Sequence, residues 1–220
     1  ELNYSPDRAA RALVSGRTHL VGVIVPDVCS NWESQEIDAL TTALQAEGFA
    51  TLLFKTRTDY SMDEQLLAYM RGFNPDSVIA FVENVKPKTL TRFLHRAVPI
   101  YVDYPLAGAD GARDSGPLFD RLNILQYDGI DQAVALLQGY GVNRVAYLAG
   151  IDKSRASQAR ENTLRKVMAD RGMPPPSVIQ GDFGYDAAFR ATLDLFRIGE
   201  GADAIFAAND VSAFGAMDAL

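Results

Sequence analysis

Leu20-Val21-Gly22-Val23-Ile24-Val25 is an unbroken apolar run, ended by Pro26-Asp27. A strand with one face in water alternates apolar and polar residues, whereas a strand covered by helices on both faces is apolar throughout. The run therefore predicts a central strand of a parallel sheet. The residues beyond it support that reading. Ile37, Leu40, Ala43 and Leu44 recur at helical spacing and Gly48 closes the pattern. Phe49 to Phe54 reads as a second strand, 62–72 as a helix, and Ser77 to Val82 as a third strand. A helix over 87–96 leads into a fourth strand, Pro99 to Asp103. Strands and helices alternating through short links mark a doubly wound α/β fold.

Residues 107–119 hold three Gly and one Pro and lack periodicity, which predicts a surface loop or insertion. The alternation then restarts. Helices are expected over 129–138, 156–171, 185–197 and from Val211 onward, with strands at Arg144–Leu148, Ser177–Ile179 and Ala204–Ala207. The two halves repeat one architecture, so the expected fold is two doubly wound parallel-sheet lobes, 18–123 and 124–220, with a cleft between them. Residues 1–17 stand apart. Ser5 as N-cap and Pro6 at the first helical position open a short helix from Arg8 to Ser15, and Gly16 ends it. So short a helix is marginal by itself in water.

The composition bounds the function. The 220 residues are 48% hydrophobic, enough for one large core or two modest ones. A net charge of −7 argues against broad coating of nucleic acid, because phosphate neutralisation needs a basic surface; any DNA contact must be local or lie outside this chain. Cys29 is the single cysteine, which rules out an internal disulfide and suits a reducing cytoplasm. With only His19 and His95 beside it, no metal cluster is expected. No apolar run reaches the roughly 20 residues needed to span a bilayer, and no secretory leader is visible. The first residue, Glu1, reads as mid-structure, so residues upstream are expected.

Sheets of this kind bind ligands beyond the carboxyl ends of their strands. Those ends carry Asp27, Ser30, Asn31 and Trp32, then Asp103, then Asp152, Ser154, Ser157 and Arg160, then Asn209-Asp210. Carboxylates and a guanidinium bind hydroxyls through charge-assisted hydrogen bonds, and an aromatic face covers the apolar side of a ring. Each residue also has a plainer reading. Asp or Asn after a strand commonly caps a helix, a tryptophan packs on a lobe surface, and a helical arginine is solvated or paired. An enzyme has little to rest on. G-x-S-x-G, a Walker-type phosphate loop and G-x-G-x-x-G after the first strand are all missing, so no catalytic residue and no cofactor are expected.

Three segments together resemble the lactose/galactose repressor family of transcription regulators. They are Tyr4-Ser5-Pro6-Asp7-Arg8-Ala9-Ala10-Arg11-Ala12-Leu13 with Gly16-Arg17-Thr18 and the strand Val21 to Asp27; Gly139 to Gly150; and Asp203 to Asp210 with Ala213, Gly215 and Ala216. The resemblance covers essentially the whole chain. It implies a sensor resembling periplasmic sugar-binding proteins, whose final part lies beyond Leu220. It further implies an upstream helix-turn-helix, of which residues 1–17 are the tail and the DNA hinge. Arg8 and Arg11 then belong to the hinge, and Leu13 matches a leucine that wedges into the minor groove.

By the same resemblance Trp32, Asp103, Arg160, Phe183 and Asp210 contact a sugar-like effector, the protein is a cytoplasmic homodimer, and operator DNA is its partner. Departures concern the effector. The His usual after the glycine of Gly141-Val142 is missing, Gln132 stands where glycine is frequent, and Thr163 replaces the glycine that commonly follows the arginine. Two rivals remain on this reading. A sugar-binding protein of a transporter predicts a secretory signal upstream of Glu1, and an enzyme on the same architecture predicts turnover of its ligand.

Overall fold

The apolar runs of the sequence become strands. The computed structural model describes residues 8–25, 31–56, 64–81, 90–91, 98–103, 120–152, 154–197, 199 and 201–220; the side chains of residues 8–11, 31, 32, 98 and 103 are not among what it describes. In order along the chain are α1 (Arg8–Ser15), β1 (Leu20–Val25), α2 (Asn31–Ala46), β2 (Ala50–Lys55), α3 (Glu64–Gly72), β3 (Ser77–Ala80), β4 (Val98–Asp103) and β5 (Asp120–Asn123). Beyond them lie α4 (Tyr127–Gly139), β6 (Val145–Ala149), α5 (Arg155–Asp170), β7 (Ser177–Gln180), α6 (Tyr185–Arg197), β8 (Ala204–Ala207) and α7 (Asp210–Ala219).

The described residues fall into two compact units that divide between Leu122 and Asn123. The first is built on a sheet of order β2-β1-β3-β4-β5, the second on a sheet of order β7-β6-β8. The pairs β1–β2, β1–β3, β3–β4, β6–β7 and β6–β8 are all parallel, as unbroken apolar strands require. Two expectations need adjustment. The third strand ends at Ala80 rather than running to Val82, and β5 is a strand that the sequence did not signal, since Asp120-Arg121-Leu122-Asn123 is exposed along its length. Ser5, Pro6 and the loop over 107–119 lie outside the described residues, as does most of the helix over 87–96, of which Leu90 and Thr91 are helical.

In the second unit the alternation along β6 can be traced residue by residue. Val145, Tyr147 and Ala149 are buried against Ile130 and Val134 of α4 and Leu164, Val167 and Met168 of α5. Leu148 turns to the other face, where it meets Ala188 of α6 and Ala216 of α7. Both faces of β6 are thus closed, and all five of its residues are buried. Each large side chain so enclosed contributes about 1.5–3 kcal/mol. In the first unit Ile24, Phe54, Leu67, Met70, Val78, Ala80, Leu90 and Tyr101 form the corresponding core.

The central strands β1 and β6 begin in the same way. The Asp76 carboxylate, one residue before β3, accepts from the backbone N–H groups of Thr18 (2.9 Å) and His19 (2.9 Å) and from the Thr18 hydroxyl (3.1 Å). The Asp203 carboxylate, one residue before β8, accepts from the N–H groups of Asn143 (3.1 Å) and Arg144 (2.9 Å) and from the Arg144 guanidinium (2.9 Å). Partial burial works to raise the Asp76 carboxyl, but the bonds from Thr18 and His19 outweigh it and hold the group below its ordinary value. The backbone and side-chain bonds from Arg144 do the same for Asp203.

Folded values below the unfolded ones mean that both carboxylates stabilise the fold fully above about pH 4. That contribution is lost as the pH falls through the lowered folded values. In urea unfolding, the wild type should therefore lose more stability between about pH 5 and about pH 3 than an Asp76→Asn/Asp203→Asn double variant does. Equal losses in the two proteins would show that the carboxylates do not carry this role.

Candidate functional site

The carboxyl ends of β6, β7 and β8 are laced together by backbone bonds. Gly181 N–H donates to Ala149 O (2.9 Å) and Ala208 N–H to Leu148 O (2.9 Å). Four side chains gather on this edge: Phe183 after β7, Arg160 from α5, and Asn209 and Asp210 where α7 begins.

Phe183 comes after β7. Both it and Asp182 lie in the left-handed region, with φ of 58° and 50°. For residues other than glycine this costs of order 1–3 kcal/mol each and persists only where the surroundings impose it. Two contacts hold Phe183 in place here. The Asn209 side-chain amide donates to Phe183 O (3.1 Å), and the Phe183 ring lies over Gly150, where any Cβ would overlap it. Gly150 is thus required by the close approach of the ring rather than by its own backbone angles.

Asn209 works in both directions. While its Nδ2 holds Phe183, its Oδ1 accepts from Ser212 N–H (2.9 Å) and caps α7. The plainer reading of an Asn after a strand holds for this residue, and the cap doubles as a support. Asp210 next to it is exposed in the first turn of α7, where a carboxylate is favoured by the helix dipole. Arg160, on the second turn of α5, is partly buried and donates from Nη1 to Ala208 O (2.9 Å). Its guanidinium therefore reaches the end of β8, one residue before Asn209.

Behind Arg160 lies a buried polar network. Tyr147 donates from its hydroxyl to Ser157 O (3.0 Å), and the Ser157 hydroxyl accepts from Gly150 N–H (2.8 Å). The Ser154 hydroxyl caps α5 by accepting from Ser157 N–H (3.2 Å). Burial raises the Tyr147 hydroxyl above its ordinary value, against smaller lowering effects from the Ser157 bond and the Arg160 charge. It stays a donor at all ordinary pH. Ser154 and Ser157, which the sequence offered as ligand contacts, are 0% and 4% exposed; the first caps α5 and the second ties its start to Gly150 at the end of β6.

The structure thus brings Arg160, Phe183 and the Asn209-Asp210 pair to one edge of the second unit. In the first unit Trp32 falls in the first turn of α2, directly after β1, and Asp103 is the last residue of β4. Both occupy the carboxyl edge of their own sheet, and their side chains lie outside the described residues, as do those of Arg8 and Arg11 on α1. Leu13 on α1 is 88% exposed. The sequence reading missed Gly150 as the seat of the Phe183 ring and Tyr147 as the prop of α5. Among the described residues no group of three or more His, Cys, Asp or Glu could hold a metal ion, and no helix is long and apolar enough to cross a membrane.

No family model matches the chain. Curated relatives nevertheless extend along its whole length. The HTH-type transcriptional regulator PtxS of Pseudomonas aeruginosa is 26% identical over 214 residues, covering 96% of this chain and 60% of that protein. The HTH-type transcriptional regulator CelR of Thermobifida fusca is 28% identical over 233 residues, covering 100% of this chain and 65% of that protein. The chain therefore spans less than two thirds of the length of the relatives it matches. Among solved structures, the lac repressor dimer bound to operator and the anti-inducer ONPF superposes with a TM-score of 0.81 at 20% identity, covering 99% of this chain and 64% of that one. A periplasmic solute-binding protein of an ABC transporter from Actinobacillus succinogenes, with bound D-allose, gives 0.73 at 18% identity, covering 91% and 72%. The periplasmic-binding-protein-like α/β fold expected from the sequence is borne out, and so is the resemblance to lactose-repressor-type regulators.

The packing of the Phe183 ring on Gly150 can be tested on stability alone. Gly150→Ala should cost about 1–3 kcal/mol in the wild type and much less in a Phe183→Ala background, because the overlap disappears with the ring. A cost that is the same in both backgrounds would separate the two positions.

Proposed function

We propose, on the premise of that resemblance to lactose-repressor-type regulators, that this chain is the effector-sensing core of a DNA-binding transcription regulator. Residues 1–17 are the end of the DNA-binding part and its hinge, 18–123 the first effector lobe and 124–220 the second. A small polyhydroxylated effector, sugar-like in chemistry, is held by Arg160, Phe183 and Asp210 together with Trp32 and Asp103. Its binding changes operator affinity through the hinge residues Arg8, Arg11 and Leu13. The protein acts as a homodimer in the cytoplasm, and it is not an enzyme.

The observation that carries this reading is the convergence at the ends of β6, β7 and β8. A guanidinium beside Ala208 O, an aromatic ring over Gly150 and an exposed carboxylate at residue 210 are three different recognition chemistries on one edge. A hydroxyl-rich ring needs that combination, with polar groups for its rim and an aromatic face for its C–H side. The relatives matched along the sequence are transcription regulators rather than enzymes, which supports the sensor reading over turnover. A sugar-binding protein of a transporter shares the fold, and the D-allose in one such protein supports the ligand class more than the transport role. The sequence relatives favour regulation.

Effector and DNA sites coupled in this way must influence each other reciprocally, typically by about 5–150-fold in affinity. Titrating a DNA duplex selected by the full-length protein, with and without candidate sugars, should show a shift in that range. A sugar that binds tightly and leaves DNA affinity unchanged would end the switch reading. Arg160→Ala should weaken effector binding about 10-fold or more, the weight of a charge-assisted hydrogen bond, with little change in melting temperature. Unchanged binding would remove Arg160 from the site.

A further inference from the structure

Asp76 and Asp203 hold the starts of β1 and β6 in equivalent ways, yet what precedes each strand differs. Before β6 comes α4, anchored by Ile130 and Val134 in the core of the second unit. Before β1 comes α1, whose Leu13 and Val14 are 88% and 91% exposed. Apolar burial of those residues does not hold α1 against its unit. The short link Gly16-Arg17-Thr18-His19 joins it to β1.

That link is tightly constrained at its far end. Gly16 has a φ of 69° and closes the helix with its N–H on Ala12 O (2.9 Å). His19, with a φ of 53°, is held left-handed, and Asn74, with a φ of 48°, is left-handed opposite it. The Thr18 hydroxyl shares its one proton between the Asp76 carboxylate and Asn74 O (3.0 Å), and the His19 ring packs against Phe49 at 5.7 Å between centroids. At the centre is the Asp76 carboxylate, with three donors from Thr18 and His19. An unfavourable backbone angle at a residue with a Cβ survives only when its neighbours over-determine it. Here Asp76 is the neighbour that binds both link residues at once.

We propose that Asp76 is a positioning residue for α1: by holding Thr18 and His19 it fixes the direction in which the helix leaves the first sheet. Its role in DNA binding rests on the reading of α1 as the hinge. The fixing of the helix does not, and the two can be tested apart.

In full-length protein with Cys29 and any cysteine outside these 220 residues changed to Ser, a nitroxide placed through Val14→Cys reports the motion of α1 by its resonance line shape. Asp76→Ala should move the label to a faster-motion spectrum. Asp203→Ala should leave the spectrum unchanged, although both variants lower the melting temperature. An unchanged spectrum in Asp76→Ala, or an equal change in Asp203→Ala, overturns the proposal. If Asp76→Ala fails to fold, Asp76→Asn, which removes the charge and keeps the shape, carries the same comparison. As a second readout, Asp76→Ala should weaken binding to a DNA duplex selected by the wild type about 5-fold or more, with Asp203→Ala near the wild type. A label that responds while DNA affinity does not would leave the clamp standing and remove the hinge reading of α1.

Discussion

A strand buried on both faces has no tolerance for a shift in register. Moving β6 by one residue would exchange the surroundings of Tyr147 and Leu148, one packed on α4 and α5, the other on α6 and α7. The same holds for β1, where Ile24 packs with Phe54, Met70 and Val78. The register therefore has to be fixed where each strand begins, and in both units a carboxylate from the neighbouring strand fixes it. One aspartate takes two consecutive backbone N–H groups of the central strand's lead-in, so the two strands cannot slide past each other without breaking charge-assisted bonds. Helices, sheet order and the ligand edge all depend on that alignment.

Most of this fold was legible because its strands are short apolar runs and its helices are punctuated by caps. Helix α6 and strand β8 fall on the residues the pattern indicated, Tyr185–Arg197 and Ala204–Ala207. What escaped has a physical reason. Asp120-Arg121-Leu122-Asn123 carries no apolar alternation because all four residues are exposed, and only pairing within the sheet makes them a strand. The aspartates at 76 and 203 were visible as letters, but a carboxylate before a strand has no signature until its partners 57 to 60 residues away are in place.

The ligand edge was legible in its residue types and less so in its supports. Arg160 and Asp210 could be named because a guanidinium and a carboxylate at strand ends are recognisable recognition chemistry, whereas Phe183 entered only through the family resemblance. Ser154 and Ser157 looked equally suitable, and only the structure revealed that the first hydroxyl caps α5 while the second takes Gly150 N–H at the end of β6. Gly150 and Tyr147 were invisible for the opposite reason. A glycine at a strand end and a tyrosine inside an apolar run look ordinary until a ring is found on one and a helix hung from the other.

The seat of the Phe183 ring also constrains how such a chain can vary. Position 150 accepts no side chain while an aromatic ring stands at 183, and a smaller residue at 183 would leave a gap over Gly150. Neither position can drift alone without loss. A lineage that altered its ligand by changing the ring would have to change the strand end in step, so these two sites should travel as a pair through sequence space.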